Sequence, residues 1–478
     1  MHSVRWLGLT GAIIAVGAAP LSAQSDPRSK SDAAVIAEAR SLLKALVETN
    51  TTREHGSTTA AARLVADRFL QAGWPSADVE IAGPGATRRN LIVRWRAQSP
   101  TAKPVMFLSH LDVVEARRED WDSDPFVMRE KDGYLYGRGV LDDKAAIATW
   151  TTGLISLRRT GWKPSRDIVL LLTADEEGGD ENGVDWLLHN RRALFDADFM
   201  INADAAGPEL HDLKVTVFTV DVAEKSPVTI DLTVTNPGGH SSRPRTDNAI
   251  YSLAHALVSI EQHRFPVQLS DLQRAMLTTA IETTTAPVAD ALRAILLDPN
   301  DSSASAVLRQ EPHLNAMLRT TCVATQLSGG LEINALPQRA TATVNCRALP
   351  GVVPDSVVAQ LRRVVGDTAV HLVARPAIKP AAPASPMRDD VLKSLTRAVA
   401  ASWGESVRVQ PALSLGATDG SFIRVAGIPT YTIWHVPLDP TDMRAHGRDE
   451  RILAESFDQS VKFARDLIRE VAGHEPRQ

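Results

Sequence analysis

Histidine and carboxylate side chains recur in the 478-residue sequence just where apolar runs end. Pro104 to Leu108 (PVMFL) leads into Ser109-His110-Leu111-Asp112, and Asp167 to Leu172 (DIVLLL) into Thr173-Ala174-Asp175-Glu176-Glu177. Phe199 to Asn202 (FMIN) leads into Ala203-Asp204. A tight segment, Gly137-Arg138-Gly139-Val140-Leu141-Asp142-Asp143-Lys144, opens a helical pattern, and His446 sits in Arg444-Ala445-His446-Gly447-Arg448-Asp449-Glu450. Taken singly these are ordinary: a hydrogen-bonded surface pair, a solvated acidic face, an N-cap. Gathered on one rim, the carboxylates would repel and raise one another's pKa values, and a bound dication would relieve that repulsion. Two histidines with several carboxylates and no nearby cysteine suit Zn²⁺, with Co²⁺ or Mn²⁺ able to substitute. The donors suffice for two ions per subunit sharing one bridging carboxylate.

The elements that must hold these residues alternate. Helical spacing over 33–49 and 59–72 is followed by strands at 90–95, 104–108, 167–172 and 199–202, with helices at 144–158 and 183–190 between them. Continuous apolar strands alternating with helices imply an α/β layer with a mostly parallel sheet and helices on both faces. Ligands of such sheets bind beyond the carboxyl ends of the strands, which is where the histidines and acids fall. Near Asp221 the texture changes. Alternating strands at 227–235, 320–327, 339–348 and 370–374, with helices at 248–262 and 354–365, follow the β-α-β-β-α-β order of a ferredoxin-like α+β module. Residues 265–319 form a long, largely helical insertion in it, and ARPAIKPAAPASP (374–386) reads as the linker back. The reading is a catalytic domain over 30–222 and 379–475, interrupted by a lid and dimerisation module over 223–378.

Lys plus Arg is 52 against 57 for Asp plus Glu, a net charge of −5 that argues against a nucleic-acid partner. The two cysteines, Cys322 and Cys346, cannot build a cysteine-based metal site, but they fall on neighbouring strands of the module and could pair. Met1 to Ala23 has a basic Arg5, an apolar stretch and a small-residue end at Leu21-Ser22-Ala23, the pattern of an export signal. A periplasmic or secreted location is expected, with no membrane contact after cleavage.

SHLDVV, WDSDPF, GYLYGRGVLDDK, TADEEGG, INAD, PGGHSSRP and AHGRDE occur in the order found in the zinc-dependent M20 exopeptidases and amidohydrolases. The resemblance spans roughly 35–470. With LRTTCVATQLSGGLEINALPQRATATVNCRALPG it is nearest the carboxypeptidase S and N-acyl-amino-acid hydrolase branch. It implies that His110, Asp142, Glu177, Asp204 and His446 bind two zinc ions, Asp142 bridging them across a cis peptide to Asp143. It also implies that Asp112 orients His110 through the other ring nitrogen. Spacing alone leaves Glu176 and Glu177 open as general base; the family motif assigns Glu176. His240 would reach a neighbouring subunit's site and stabilise an oxyanion, while Asn334, Arg347 and Gly416 would contact substrate. The implied enzyme is a homodimer that cleaves small peptides or N-acyl amino acids beside a free carboxylate. A dipeptidase or aminopeptidase of the same family, or a non-catalytic binding protein on that fold, are the alternatives.

Overall fold

The computed structural model describes residues 27–178 and 181–473; the expected export segment, 1–23, lies outside them. The large sheet runs in the order Val79–Ala82, Asn90–Trp95, Ile168–Thr173, Val105–His110, Phe199–Asn202, Thr430–Thr432, Lys214–Glu224, Arg408–Ser414, with Gly207–His211 paired onto Lys214–Glu224. From Ile168–Thr173 across to Thr430–Thr432 the neighbours are parallel, and the flanks toward Val79–Ala82 are antiparallel. The period of two along each central strand explains why the runs are apolar throughout. Val105, Phe107, Leu170 and Leu172 face one helical layer, while Met106, Leu108, Val169 and Leu171 face the other. The first layer includes Lys144–Arg159 and Ala454–Ala472, and the second Gly183–Asn190 and Gly420–Val425. Among the described residues no helix is long and apolar enough to cross a membrane.

The α+β module is a four-stranded antiparallel sheet ordered Thr321–Gly329, Arg339–Ala348, Ser226–Thr235, Val370–Ala374. Helices Ala249–Gln262 and Pro354–Val365 cover its apolar face. Cys322 and Cys346 stand directly opposite in the register, Cα atoms 4.0 Å apart, and are disulfide-bonded. The sequence reading has no strand between 202 and 227, yet Lys214–Glu224 is an eleven-residue strand. The run KVTVFTVDVAE, with valines alternating with threonines around Phe218, was the available signal. After the break at Lys225 the chain continues as Ser226–Thr235, so one extended run passes from the large sheet into the small one.

The insertion forms four helices, Asp271–Thr283, Ala286–Leu297, Ser302–Leu308 and Pro312–Leu318, around their own cluster of Leu277, Leu292, Ile295, Leu308 and Leu318. It docks on the edge strand Arg408–Ser414 of the large sheet: Leu272 joins the main core and Glu282 lies 3.0 Å from Arg408. The edge strand of the module, Thr321–Gly329, stays open, with Val323 60% and Leu327 71% exposed.

Candidate metal centre and substrate cavity

His110 is the last residue of its strand, and Glu176, Glu177 and Asp204 follow the ends of the two strands on either side of it. Asp142 lies just before helix Lys144–Arg159, with the Asp142–Asp143 peptide cis. His446 lies in a surface loop at φ +62°, a left-handed conformation. The two oxygens of Asp142 face the two histidines: His110 Nε2 is 2.8 Å from Oδ1 and His446 Nε2 is 3.1 Å from Oδ2. His446 Nε2 also lies 2.9 Å from Glu177 Oε1, and His110 Nε2 lies 3.8 Å from Asp204 Oδ1. A carboxylate held between two imidazoles, each with a further carboxylate at hand, is the arrangement a bridging ligand needs.

The electrostatics show charge awaiting compensation. Burial, and then the neighbouring Glu176 charge, push the Asp204 carboxyl well up. Burial likewise carries Glu177 to about 7, against the pull of the His446 bond. Burial would raise Asp142 too, but the bonds from His110 and His446 outweigh it and hold this carboxyl low. Hydrogen bonds to Asp142 and Glu177 raise His446 to about 10. Asp204 Oδ2 is buried with no hydrogen-bond partner among the described residues. Ligand atoms of His110, Asp142 and Glu177, and of His110, Glu176 and Asp204, gather within 4.8 Å of one another in each group. Imidazole and carboxylate donors, one of them orphaned, fit a borderline dication.

Supporting contacts fix the ligands. The sequence reading places the Asp112 carboxylate on Nδ1 of His110. Instead the backbone carbonyl of Asp112 meets Nδ1 at 3.0 Å, and the carboxylate stands 3.8 Å away. Its oxygens are taken by the amide N–H groups of Glu176 and Glu177, at 3.2 and 3.0 Å. Asp112 therefore orients the histidine through its main chain and the glutamate pair through its side chain. Glu450, which the sequence reading left unassigned within its own motif, is fully buried. It accepts from Arg138 at 2.7 Å and from the amides of Gly139, Leu141 and Asp142. Arg138 in turn donates to Gly447 O at 2.9 Å, so one ion pair ties the Asp142 loop to the His446 loop.

A cavity of about 460 Å³ opens over these groups. Asp142, Glu176, Glu177, Asp204 and His446 line one side, and the α+β module contributes Thr229, Asn345 and Arg347. The Arg347 guanidinium has no hydrogen-bond partner among the described residues, and burial lowers its pKa from the usual arginine value. Gly416 lines the cavity as the motif implies. Asn334 and His240 do not reach it. They sit together beyond the ends of the module's two central strands, away from the cavity, where Gly239–His240 pairs with Ala335–Leu336 and Ser241 N–H donates to Asn334 O at 2.9 Å. His240 is exposed, its Nδ1 2.8 Å from Ser242 Oγ. Lys379 was missed. It lines the cavity from the proline-rich linker, where burial lowers its pKa but Glu176, Asp419 and Asp204 more than restore it, keeping the ammonium charged. A cation amid prolines and alanines was the available signal.

Comparison with known proteins gives the family. The human N-fatty-acyl-amino acid synthase/hydrolase PM20D1 is 29% identical over 385 residues, covering 78% of this chain and 75% of that protein. Its Xenopus tropicalis counterpart is 30% identical, covering 77% and 72%. A probable carboxypeptidase S-like 2 of Dictyostelium discoideum is 28% identical, covering 80% and 74%. Among solved structures, the M20 family metallo-carboxypeptidase Sso-CP2 of Sulfolobus solfataricus superposes with TM-score 0.68 at 16% identity, covering 90% of this chain and 98% of that one. The YXEP protein of Bacillus subtilis, described as a dinuclear metal-binding peptidase from the M20 family, superposes with TM-score 0.58 at 11% identity, covering 93% and 99%. The family profile described as Peptidase family M20/M25/M40 matches residues 106–470, and the chain belongs to that family of amide-bond hydrolases.

Proposed function

We propose that the protein is a dizinc hydrolase of N-acyl amino acids and small peptides, cutting the amide beside a free carboxylate. The observation that carries this is the pairing of Asp142 between two histidines on one side of a cavity with the unpartnered Arg347 on the other. His110 and Asp204 would hold one ion, Glu177 and His446 the other, and Asp142 both. Bound there, the ions would lower the pKa of a shared water toward ~7 and polarise the scissile carbonyl. Glu176 takes the proton of the attacking water and delivers it to the leaving nitrogen. Arg347 offers a planar pair of donors to the substrate carboxylate. Ala205, Ile378, Ala417, Trp434 and Ala445 give the cavity apolar walls suited to an acyl chain.

The exposed positions of His240 and Asn334 support a second part of the reading. They would serve the site of a partner subunit, brought there by pairing across the open Thr321–Gly329 edge. The partner subunit's His240 would then stabilise the oxyanion. The module would swing on the crossings near Lys225 and at 375–388, which we take as its boundaries with the catalytic domain. Met1 to Ala23 would direct export, and N-terminal sequencing of the mature protein would check it. The main test is hydrolysis of N-acyl amino acids and dipeptides in parallel, with zinc measured on the same sample. Inactivity of a fully zinc-loaded protein on both classes would refute the reading.

A further inference from the structure

Lys379 is only 9% exposed although it lies in a linker without regular structure. Burying an ammonium is costly unless it is paired, and here the partners are specific. Nζ contacts Glu176 Oε1 and donates to Ala417 O at 3.0 Å. Among the described residues, no other side chain bonds to the Glu176 carboxylate; Asp112 holds only its backbone. The lysine itself is firmly mounted. Pro376 and Pro380 flank it and restrict the linker backbone. Ala417 precedes Thr418, whose N–H and hydroxyl both donate to buried Glu224. One oxygen of Glu176 is thus engaged by a fixed cation, leaving the other to accept a proton.

We propose that Lys379 is the positioning residue of the general base: carried on the return linker, its ammonium aims the Glu176 carboxylate and so couples the base to the hinge. This rests on the reading of Glu176 as the base. The test compares Lys379→Met, Lys379→Arg, Glu176→Gln and the double variant Lys379→Met/Glu176→Gln as zinc-loaded proteins on one N-acyl amino acid. Lys379→Met should lower kcat by ~10²-fold with KM little changed and zinc content intact, as expected for a base displaced by about 1 Å. Lys379→Arg should recover most of that loss. The double variant should be no slower than Glu176→Gln alone, because a residue acting through Glu176 has nothing left to act on. Lys379→Gln replaces the methionine variant if melting shows that variant to be misfolded. A kcat within about threefold of the parent, or a loss that adds in full to that of Glu176→Gln, overturns the proposal. A rise in KM for carboxylate substrates with kcat kept would make Lys379 a substrate contact instead and overturn it equally. Glu176→Gln at the parent rate would refute the base reading itself, an outcome separate from any result at Lys379.

Discussion

Under the proposed function, Arg347 is the side chain that would set substrate class. It is half-buried, charged and unpartnered, so an incoming carboxylate gains a bond without breaking one. Arg347→Ala should therefore cost roughly 2–5 kcal/mol in kcat/KM for free-acid substrates. Carboxamide-capped analogues should lose much less; equal losses in steady-state assays would contradict carboxylate recognition. A second residue predicts a pH effect on stability. Asp221 is buried near the module crossing, where burial and then the nearby Glu224 charge raise its carboxyl to about 8. The folded chain thus holds a proton that the unfolded chain releases near ~4. That stabilisation is full below ~4 and is lost progressively as pH rises toward 8. Asp221→Asn should flatten the decline, gaining on the order of 2–5 kcal/mol over the parent at pH 8 in denaturant melts. Neither feature was equally legible beforehand. Arg347 sits within a motif, whereas Asp221 looks like any strand-end acid until its neighbours, Glu224 and Arg424, close around it.

The strand ends were legible because burial on both faces makes a run such as Ile168–Thr173 uniformly apolar, so the first acid after it marks the rim. Where pairing is long-range the sequence was silent. Nothing in AHGRDE says that Glu450 is gripped by the loop preceding Asp142, more than 300 residues away. That grip should matter to both loops at once. Glu450→Gln keeps the shape but replaces one acceptor with an amide that faces N–H donors. It should weaken metal retention roughly 10–100-fold. Glu450→Ala, which leaves Arg138 buried and unpaired, should cost about 3–5 kcal/mol of stability. Metal titration of the apoprotein and thermal melts check the two; unchanged metal affinity in Glu450→Gln would show that the loops hold themselves. In the module, the Cys322–Cys346 bond closes a 24-residue separation. Replacing both with serine should lower stability by ~3 kcal/mol, read by denaturant unfolding.

At the scale of the molecule, the proposed reading links the open edge strand Thr321–Gly329 to the exposed His240 and Asn334, which lie away from the cavity of their own chain. Mixing inactive His240→Ala with inactive Glu176→Gln should restore up to about a quarter of parental activity, since half of the randomly exchanged dimers carry one intact site of two. Absence of recovery after demonstrated subunit exchange would exclude completion of the site in trans. The helical insertion bears on the proposed swing of the module. By chain order it belongs to the module, between Ala249–Gln262 and Thr321–Gly329. By contact its first helix belongs to the large sheet, through Leu272 and the Arg408–Glu282 pair, while Lys225 at the crossing donates to Ala316 O and Arg319 O at its far end. If the module swings as proposed, its two covalent crossings are supplemented by the insertion, a non-covalent strut with one end held beside the Lys225 crossing. A door on two pins swings freely; one with a strut fixed between leaf and frame travels a short arc and returns to the same place.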